Sequence, residues 1–170
     1  SLPQSVNRRG AIRVPQTVDE TLASFLGSMV GDDHIRRAQH HLGLTTGDDE
    51  QAERFGRLAE DLFGVQPKRR RDGERWRVLV HSEHVSDFLT GATGLTEGPS
   101  ASEKEVPEVI LRSPKPVVAA FVRSLMDADG YAGEQGVILS TSSQSLGRQV
   151  QLLLMNFGVL SRRRQQSDGC

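Results

Sequence analysis

The chain has 170 residues, with 21 basic and 22 acidic side chains, so its formal net charge is −1. This length is sufficient for one domain with a full core or for two tightly joined halves. The balanced charge provides no overall attraction to nucleic acid, the single Cys170 excludes internal disulfides, and no apolar run approaches membrane-spanning length. The composition predicts an intracellular, cytoplasmic protein without a membrane segment or signal peptide.

The sequence predicts two successive repeats with the same series of elements. In chain order, a lead-in at 1–20 precedes a first repeat at 21–94, a linker at 95–116 and a second repeat at 117–170. The first repeat contains a motif helix, strands at about 34–38, 41–46, 66–71 and 75–81, and helices at 50–63 and 84–90. The stretch 91–106 is rich in turn-forming residues and is predicted to connect the repeats. Pro114 and Pro116 mark the start of the second motif helix.

An internal duplication supports this division. Leu44-Thr45-Thr46 recurs as Leu139-Ser140-Thr141, 95 positions later. The helix that follows each of these segments ends at a glycine followed by valine, which is typical of a C-terminal helix cap. Three consecutive arginines and an Asp-Gly hairpin signal then follow in both repeats. Counterparts of strand 75–81 and helix 84–90 would follow Asp168-Gly169, so the second repeat is expected to be incomplete at its C-terminus.

Two helical segments that end in acidic residues carry the most information. They read FLGSMVGDD and FVRSLMDADG. A shift of 97 positions places Gly27 on Ser124, Gly31 on Ala128 and Asp32 on Asp129. Small residues four apart allow two helices to approach closely. If the helices pack in parallel, Asp32 and Asp129 meet at their ends, and neighbouring carboxylates favour a divalent cation between them.

These segments resemble the LAGLIDADG motifs of homing endonucleases, in the two-motif form found inside inteins. Lys104-Glu105-Val106-Pro107 is similar to the family's K-x-I/V-P block, which lies ahead of the second motif. The stretch from Leu139 to Val159 is similar to the block that follows that motif. The resemblance covers roughly residues 20 to 165. It implies an α/β (α+β) fold, a pseudo-twofold duplicated αββαββα arrangement with two packed motif helices and a saddle of β-strands.

The resemblance also implies hydrolysis of DNA phosphodiesters with Mg²⁺ or Mn²⁺. Carried over to this sequence, the metal ligands are Asp32 and Asp129 with the carbonyls of Gly31 and Ala128. Lys104 would assist the attacking water or polarise the phosphate. The family's partner of this lysine comes from late strands that have no counterpart in this sequence.

One residue departs from the family pattern. Asp33 follows the first acid, where the family usually has glycine. An extra carboxylate there could join the metal or repel phosphate. Taken without its duplicate, the Asp32-Asp33 pair could equally be a solvated helix end.

Charge is sorted along the chain in a way that predicts a DNA-binding surface. Residues 68–77 contain six basic and two acidic side chains, whereas residues 48–61 contain six acidic and two basic ones. An Arg-rich sheet face can enter a major groove or bind phosphate. The predicted DNA-binding residues are Arg36, Arg37, Gln39, His40, Lys68, Arg69, Arg70, Arg71, Arg75, Arg77, Arg162, Arg163 and Arg164. The alternative is a solvated edge hairpin that arginines protect from aggregation.

The sequence therefore predicts an intein-derived, site-specific endonuclease that acts as a monomer on a long asymmetric duplex and breaks both strands. The alternative is a degenerate LAGLIDADG module that binds DNA, or assists the folding of RNA or of a splicing domain, without cutting. The sequence lacks the residues required for protein splicing, so splicing would need a separate domain in the parent polypeptide. A calcium loop at 127–130 and a zinc site among the five histidines are disfavoured because their ligand spacings do not fit.

Overall fold

The computed structural model describes residues 12–31, 33–36, 41–98, 100–134 and 136–165, with 33–36 described by their backbone alone. These residues form six helices and six strands. In chain order the elements are α1 (Glu20–Gly31), β1 (Asp33–Arg36), β2 (His41–Thr46), α2 (Asp49–Phe63), β3 (Lys68–Asp72), β4 (Arg75–His81), α3 (Glu83–Thr93), α4 (Glu108–Leu111), α5 (Lys115–Asp129), β5 (Gly130–Gly133), β6 (Gly136–Leu139) and α6 (Gln144–Asn156). None of the helices in these ranges has the length and apolar character that crossing a bilayer requires.

The described strands form two antiparallel sheets of different size. The first half has four strands in the order β1-β2-β4-β3, and the second half has the pair β5-β6. Side chains alternate between the faces of a strand, and directly paired residues share a face. Leu42, Leu44, Val78 and Val80 therefore point to one side of the larger sheet, where all four are buried. The predicted fold class is confirmed, since two motif helices pack together beside antiparallel sheets.

The core is built around α1. This helix has apolar or small residues on nearly all sides, so other elements can cover it all round. The Phe25 ring stacks on Phe55 of α2 at 5.1 Å and meets the edge of Phe63 at 5.4 Å. Each of these side chains is almost fully buried. Burial of a phenylalanine of this kind contributes about 2–3 kcal/mol.

All the predicted elements of the first repeat are present, although β3 spans Lys68–Asp72 rather than the predicted 66–71. Strands β2 and β4 span 41–46 and 75–81 as predicted, and Gly64 and Gly158 both take positive φ angles at the ends of α2 and α6. Helix α3 does not stop at the predicted residue 90 but continues to Thr93, because Gly94 supplies its left-handed cap. The connector therefore begins at Gly94 rather than at residue 91.

Two further differences concern the segment that leads into α5. It contains the short helix α4, which the sequence pattern does not predict. Helix α5 begins at Lys115, inside the predicted linker 95–116, with Pro114 at its N-cap and Pro116 in its first turn. The fixed φ angle of proline suits these positions.

The second half has a less covered sheet than the first. Helix α6 buries Leu146, Val150 and Leu153, but Val137 on β6 is 72% exposed. After α6, the backbone folds back so that the Val159 amide bonds the Leu154 carbonyl at 3.0 Å. Residues 159–165 then form no strand, and the arginines at 162–164 are exposed.

Candidate active site and nucleic-acid interface

The two motif helices pack side by side in parallel through their small residues. A Cβ added at Gly27 would lie 2.9 Å from the Ser124 Cβ and would also overlap the Phe121 carbonyl. Four residues on, a Cβ at Gly31 would lie 2.5 Å from the Ala128 Cβ. Real Cβ atoms do not approach one another this closely, so glycine is required at both positions. Between them, the buried hydroxyls of Ser28 and Ser124 share a hydrogen bond of 3.0 Å across the seam.

This packing brings the C-terminal ends of α1 and α5 together. Gly31 ends α1 and Asp129 ends α5. The carboxyl carbon of Asp129 would lie 3.7 Å from a Cβ at Gly31, and the Asp129 side chain is half-buried. Both helix ends carry partial negative charge from their last carbonyls. The position therefore favours a cation.

Lys104 provides a positive charge at this junction. Its ammonium Nζ donates a hydrogen bond to the Gly31 carbonyl, although the two residues are 73 positions apart. Lys104, Gly31 and Asp129 line one cavity of about 280 Å³, together with Ala101 and the loop 140–142. Lys104 thus lies where the two motif helices end, beside residues of both.

Among the described residues the cavity offers oxygen donors of the kinds that a hard divalent cation takes, with one carboxylate and no cluster of three acidic or histidine side chains. It combines the Asp129 carboxylate, the Gly31 carbonyl and hydroxyl-bearing residues of the loop 140–142, and oxygen ligands of these kinds are those that Mg²⁺ and Mn²⁺ prefer. The Lys104 ammonium on the Gly31 carbonyl already marks a position where positive charge is stabilised. A carbonyl oxygen has two lone pairs, so this contact leaves capacity for a second partner.

Asp127, the other acid of the second motif, lies away from the cavity. It is exposed and pairs with Arg54 of α2, Oδ2 to guanidinium, at 2.8 Å. The Gln51 side chain donates to the Asp127 carbonyl at 3.4 Å. Asp127 therefore ties α5 to α2 and does not line the cavity.

The connector just before Lys104 is ordered by a local carboxylate. Glu103 accepts from the Ser100 amide at 3.0 Å and from the Ser100 hydroxyl at 2.7 Å. These two donors, with the hydroxyl the larger influence, lower the pKa of the Glu103 carboxyl from its usual value.

The larger sheet has a basic outer face. Pairing in β3 and β4 places Lys68 beside Leu79, Arg70 beside Arg77, and Asp72 beside Arg75, all on the face opposite the core. The side chains of Lys68, Arg70, Arg75 and Arg77 are exposed. Arg77 forms an ion pair of 3.0 Å with Asp72. Asp72 is the single acidic residue among these paired positions. We call these four basic residues the outer basic face.

Arg69 and Arg71 are on the other face of β3. They pair with Val78 and Trp76, and both guanidinium groups lie over the Trp76 ring, at 4.0 and 5.1 Å. Arg69 also forms an ion pair with Asp49 at the start of α2. The structure therefore divides the predicted run 68–71 between two faces. Because β3 is an edge strand, the same arginines also protect a free edge.

Some predicted site residues lie outside the described part of the chain. These are Asp32, Arg37, Gln39 and His40. Arg36 is described by its backbone, which pairs with His41 of β2. The arginines at 162–164 are exposed and belong to neither described sheet.

Sequence reasoning missed two sets of residues near the cavity. The loop 140–142 belongs to the block that resembles the family, and no site role is predicted for it, yet it lines the cavity beside Lys104. Ser143 and Gln149 bind the backbone around Lys104 and were not singled out. A serine directly before a helix is a recognisable N-cap, which was the one available indication of Ser143.

Comparison with known proteins agrees with this geometry. Residues 116–170 match the LAGLIDADG-like domain family. A solved structure of I-DmoI in complex with DNA and Mn superposes with a TM-score of 0.64 at 16% identity, covering 89% of this chain and 85% of that one. The predicted resemblance is confirmed: the second half is a LAGLIDADG-like domain, and the chain as a whole has the LAGLIDADG homing endonuclease fold.

Curated relatives share sequence over most of this chain. The replication factor C small subunit of Methanocaldococcus jannaschii is 30% identical over 150 residues, which is 87% of this chain and 8% of that protein. A subunit of the A-type ATP synthase of Pyrococcus abyssi is 28% identical over 93% of this chain and 15% of its own length. The replicative DNA helicase DnaB of Rhodothermus marinus is 28% identical over 90% and 18% respectively. The chain thus spans less than a fifth of the length of these relatives.

Proposed function

We propose that this chain is the endonuclease part of an intein and cuts double-stranded DNA at a specific site with Mg²⁺ or Mn²⁺. The observation that carries the proposal is the meeting of Lys104 and Asp129 at the end of the helix seam, in one cavity. An acid and a lysine at the junction of two paired helix ends suit phosphodiester hydrolysis. A divalent ion bound there would stabilise the charge that develops on the phosphate.

Each residue has a distinct role in this proposal. Asp129 at the end of α5 would hold the metal together with the Gly31 carbonyl at the end of α1, and Asp32 would do so together with the Ala128 carbonyl. Lys104 orients the attacking water or neutralises a phosphate oxygen, since its ammonium already lies at the cavity wall. The outer basic face binds phosphate and reads base edges in the major groove.

The origin of the chain is supported by the nature of its relatives. Replication factor C, an ATP synthase subunit, an aminotransferase and a replicative helicase have different names and tasks, yet a segment similar to this chain occurs in each. In each matched protein the segment occupies less than a fifth of the length. A segment that recurs in functionally unrelated proteins behaves as an insertion with its own activity. An intein with a splicing domain in the parent polypeptide fits that pattern. A cytoplasmic location and action as a monomer are part of the same proposal.

A second candidate is a LAGLIDADG module that binds DNA without cutting both strands, or that serves as a maturase-like structural element. One observation favours it. The sequence contains three lysines, of which Lys68 lies on β3 and Lys115 begins α5, at the opposite end of that helix from Asp129. Of these, Lys104 is the one at the cavity. Among the described residues no second lysine lies at the helix ends, and nicking of one strand is the intermediate outcome.

Selection from a duplex library tests the proposal. Duplexes with a randomised central segment are selected for binding in EDTA, and both labelled strands are then followed after addition of Mn²⁺. We expect at least one strand to be cut. We expect Asp129→Asn to lower the rate at least about a hundredfold, because a metal ligand contributes several kcal/mol to the barrier reduction, while binding in EDTA is kept.

Asp127→Asn is the matched control. Asp127 lies two residues away on the same helix but pairs with Arg54 outside the cavity, so this variant should still cut. Cutting by Asp129→Asn at the wild-type rate would contradict the proposed site. Binding of duplex without cutting of either strand by the wild type would favour the second candidate.

A further inference from the structure

The segment that carries Lys104 has no regular secondary structure, yet it holds an ammonium at a defined place. Residues 104–107 lie between a turn at 101–103 and helix α4. A long flexible side chain on an irregular segment is a poor catalyst unless its backbone is fixed. Contacts from other elements must therefore hold this backbone.

Two side chains at α6 hold this backbone. One binds the carbonyl of Lys104 and the other binds the amide of Val106. The Ser143 hydroxyl donates a hydrogen bond of 2.6 Å to the Lys104 carbonyl. Two residues further, the Val106 amide donates to the Gln149 Oε1 at 2.8 Å. The Val106 side chain itself is buried in the core. The segment is thus fixed at three points.

The direction of the Ser143 hydrogen bond is determined by its surroundings. Ser143 is 1% exposed and caps α6, where its hydroxyl accepts from the Leu146 amide at 3.1 Å. A hydroxyl has one proton, and an amide donor cannot receive it. That proton therefore goes to the Lys104 carbonyl. One atom both starts α6 and fixes the lysine segment.

The duplicated positions in the first half carry different chemistry. The shift of 95 residues places Ser143 on Asp48 and Gln149 on Arg54. Asp48 caps α2 by accepting from the Glu50 and Gln51 amides, but a carboxylate has no proton to donate. Arg54 pairs with Asp127. Both repeats keep a helix cap, and only the second repeat adds a bond to a lysine segment.

We propose that Ser143 and Gln149 are positioning residues for Lys104, which they hold at the cavity through its backbone. This inference rests on the proposed nuclease function. It assigns a role to two residues, the cap of α6 and one on its second turn, that do not line the cavity themselves. It also assigns a reason for the difference between Ser143 and its counterpart Asp48.

The main variant is Ser143→Asp, which copies the first half. It keeps an N-cap acceptor and removes the proton donor. We expect cutting of a selected duplex in Mn²⁺ to slow about tenfold to a hundredfold, as small misplacements of catalytic groups do, while binding in EDTA is kept. The melting temperature should also fall, because Ser143 is 1% exposed and a carboxylate there is desolvated beside the Lys104 carbonyl. Gln149→Met should have the same direction of effect, whereas Gln149→Glu keeps an acceptor for the Val106 amide.

Ser82→Asp is the matched control, because Ser82 is also buried and caps α3 by the same type of hydrogen bond, accepting from the Val85 amide at 3.3 Å. It should cut like the wild type. In a Lys104→Met background, Ser143→Asp should cause no further loss, since its effect passes through that lysine. An equal loss in that background, or no loss in the wild-type background, would overturn the inference.

A second measurement does not depend on cutting. The three lysines can be distinguished by limited reductive methylation and peptide mass spectrometry. Ser143→Asp should raise the modification rate of Lys104 severalfold, because the segment opens more often, while Lys68 and Lys115 serve as internal references. If the wild type cuts no selected duplex, the nuclease proposal fails. The modification rate of Lys104 then decides by itself whether Ser143 positions this lysine. An unchanged rate at Lys104 would overturn the inference.

Discussion

The two halves of the molecule share one sequence pattern but contain described sheets of different size, with four strands in the first half and two in the second. In the first half, β2 lies between β1 and β4 and under helix α3, so Leu42 is 0% exposed. The duplicated position in the second half is Val137, on a strand whose described partner is β5, and it is 72% exposed. Both strands present an apolar residue at this point, but only one of them has neighbours that cover it.

The difference extends to the helices that follow each sheet. Helix α2 packs its aromatic face on α1 and the four-stranded sheet. Helix α6 instead exposes Leu152 and Met155 and uses its first turns to hold the lysine segment. The first half thus contributes most of the core and the outer basic face. The second half contributes Asp129 and the positioning of Lys104.

Alanine substitutions at the duplicated positions would test this comparison most strongly. Leu42→Ala should lower the free energy of unfolding by about 2–5 kcal/mol, because it leaves a cavity in a fully packed core. Val137→Ala should change it by no more than about 0.5 kcal/mol, as exposed substitutions usually do. Urea unfolding of both variants gives the two values. A cost at Val137 as large as that at Leu42 would mean that β6 is covered in solution.

Gly27→Ala tests the seam where the halves meet. Its new methyl group would collide with Ser124 and the Phe121 carbonyl, so we expect a loss of about 1–3 kcal/mol in unfolding free energy from overpacking. Gly56→Ala is the control, since a Cβ there meets no atom within 4 Å in the middle of α2. It should stabilise the protein by about 0.5–1 kcal/mol through helix propensity. Denaturant unfolding that ranks the two variants in the opposite order would contradict this description of the seam.

Arg70→Ala and Arg69→Ala separate the two faces of β3 and should have the smallest effect. Neutralising Arg70 on the outer basic face should weaken duplex binding modestly and lower the slope of log affinity against log salt by about one phosphate contact. Arg69 is turned to the inner face and paired with Asp49, so its removal should leave that slope unchanged. Fluorescence anisotropy with one duplex over a salt series measures both. Equal slopes for the two variants would argue against DNA binding by the outer face.

Local structure could be predicted well from the sequence where one short-range rule applies. The bounds of β2 and β4 followed from alternation and turn residues, and the ends of α2 and α6 followed from glycine. The run 68–71 was less well interpreted, because it was treated as one basic cluster. Alternation along β3 already separates Arg69 and Arg71 from Lys68 and Arg70.

Contacts between distant segments could not be predicted in the same way. Neither the reach of Lys104 to the Gly31 carbonyl nor the bond from Ser143 to the Lys104 carbonyl follows from spacing in the sequence. Each depends on where an irregular connector crosses the ends of three helices. Such crossings are set by packing of the whole core, and many sequences of the same local pattern would place the connector elsewhere.

The sequence by itself determined the duplicated architecture, the glycine-lined helix pair and the acids at its end, because small residues and carboxylates at fixed helical spacing restrict what can pack there. The tertiary structure alone decided which lysine lines the same cavity as Asp129, which arginines face outward, and which apolar residues are covered. Those outcomes are decided by the relative placement of elements far apart in the chain, and placement depends on the free energy of the entire packed core rather than on any one segment.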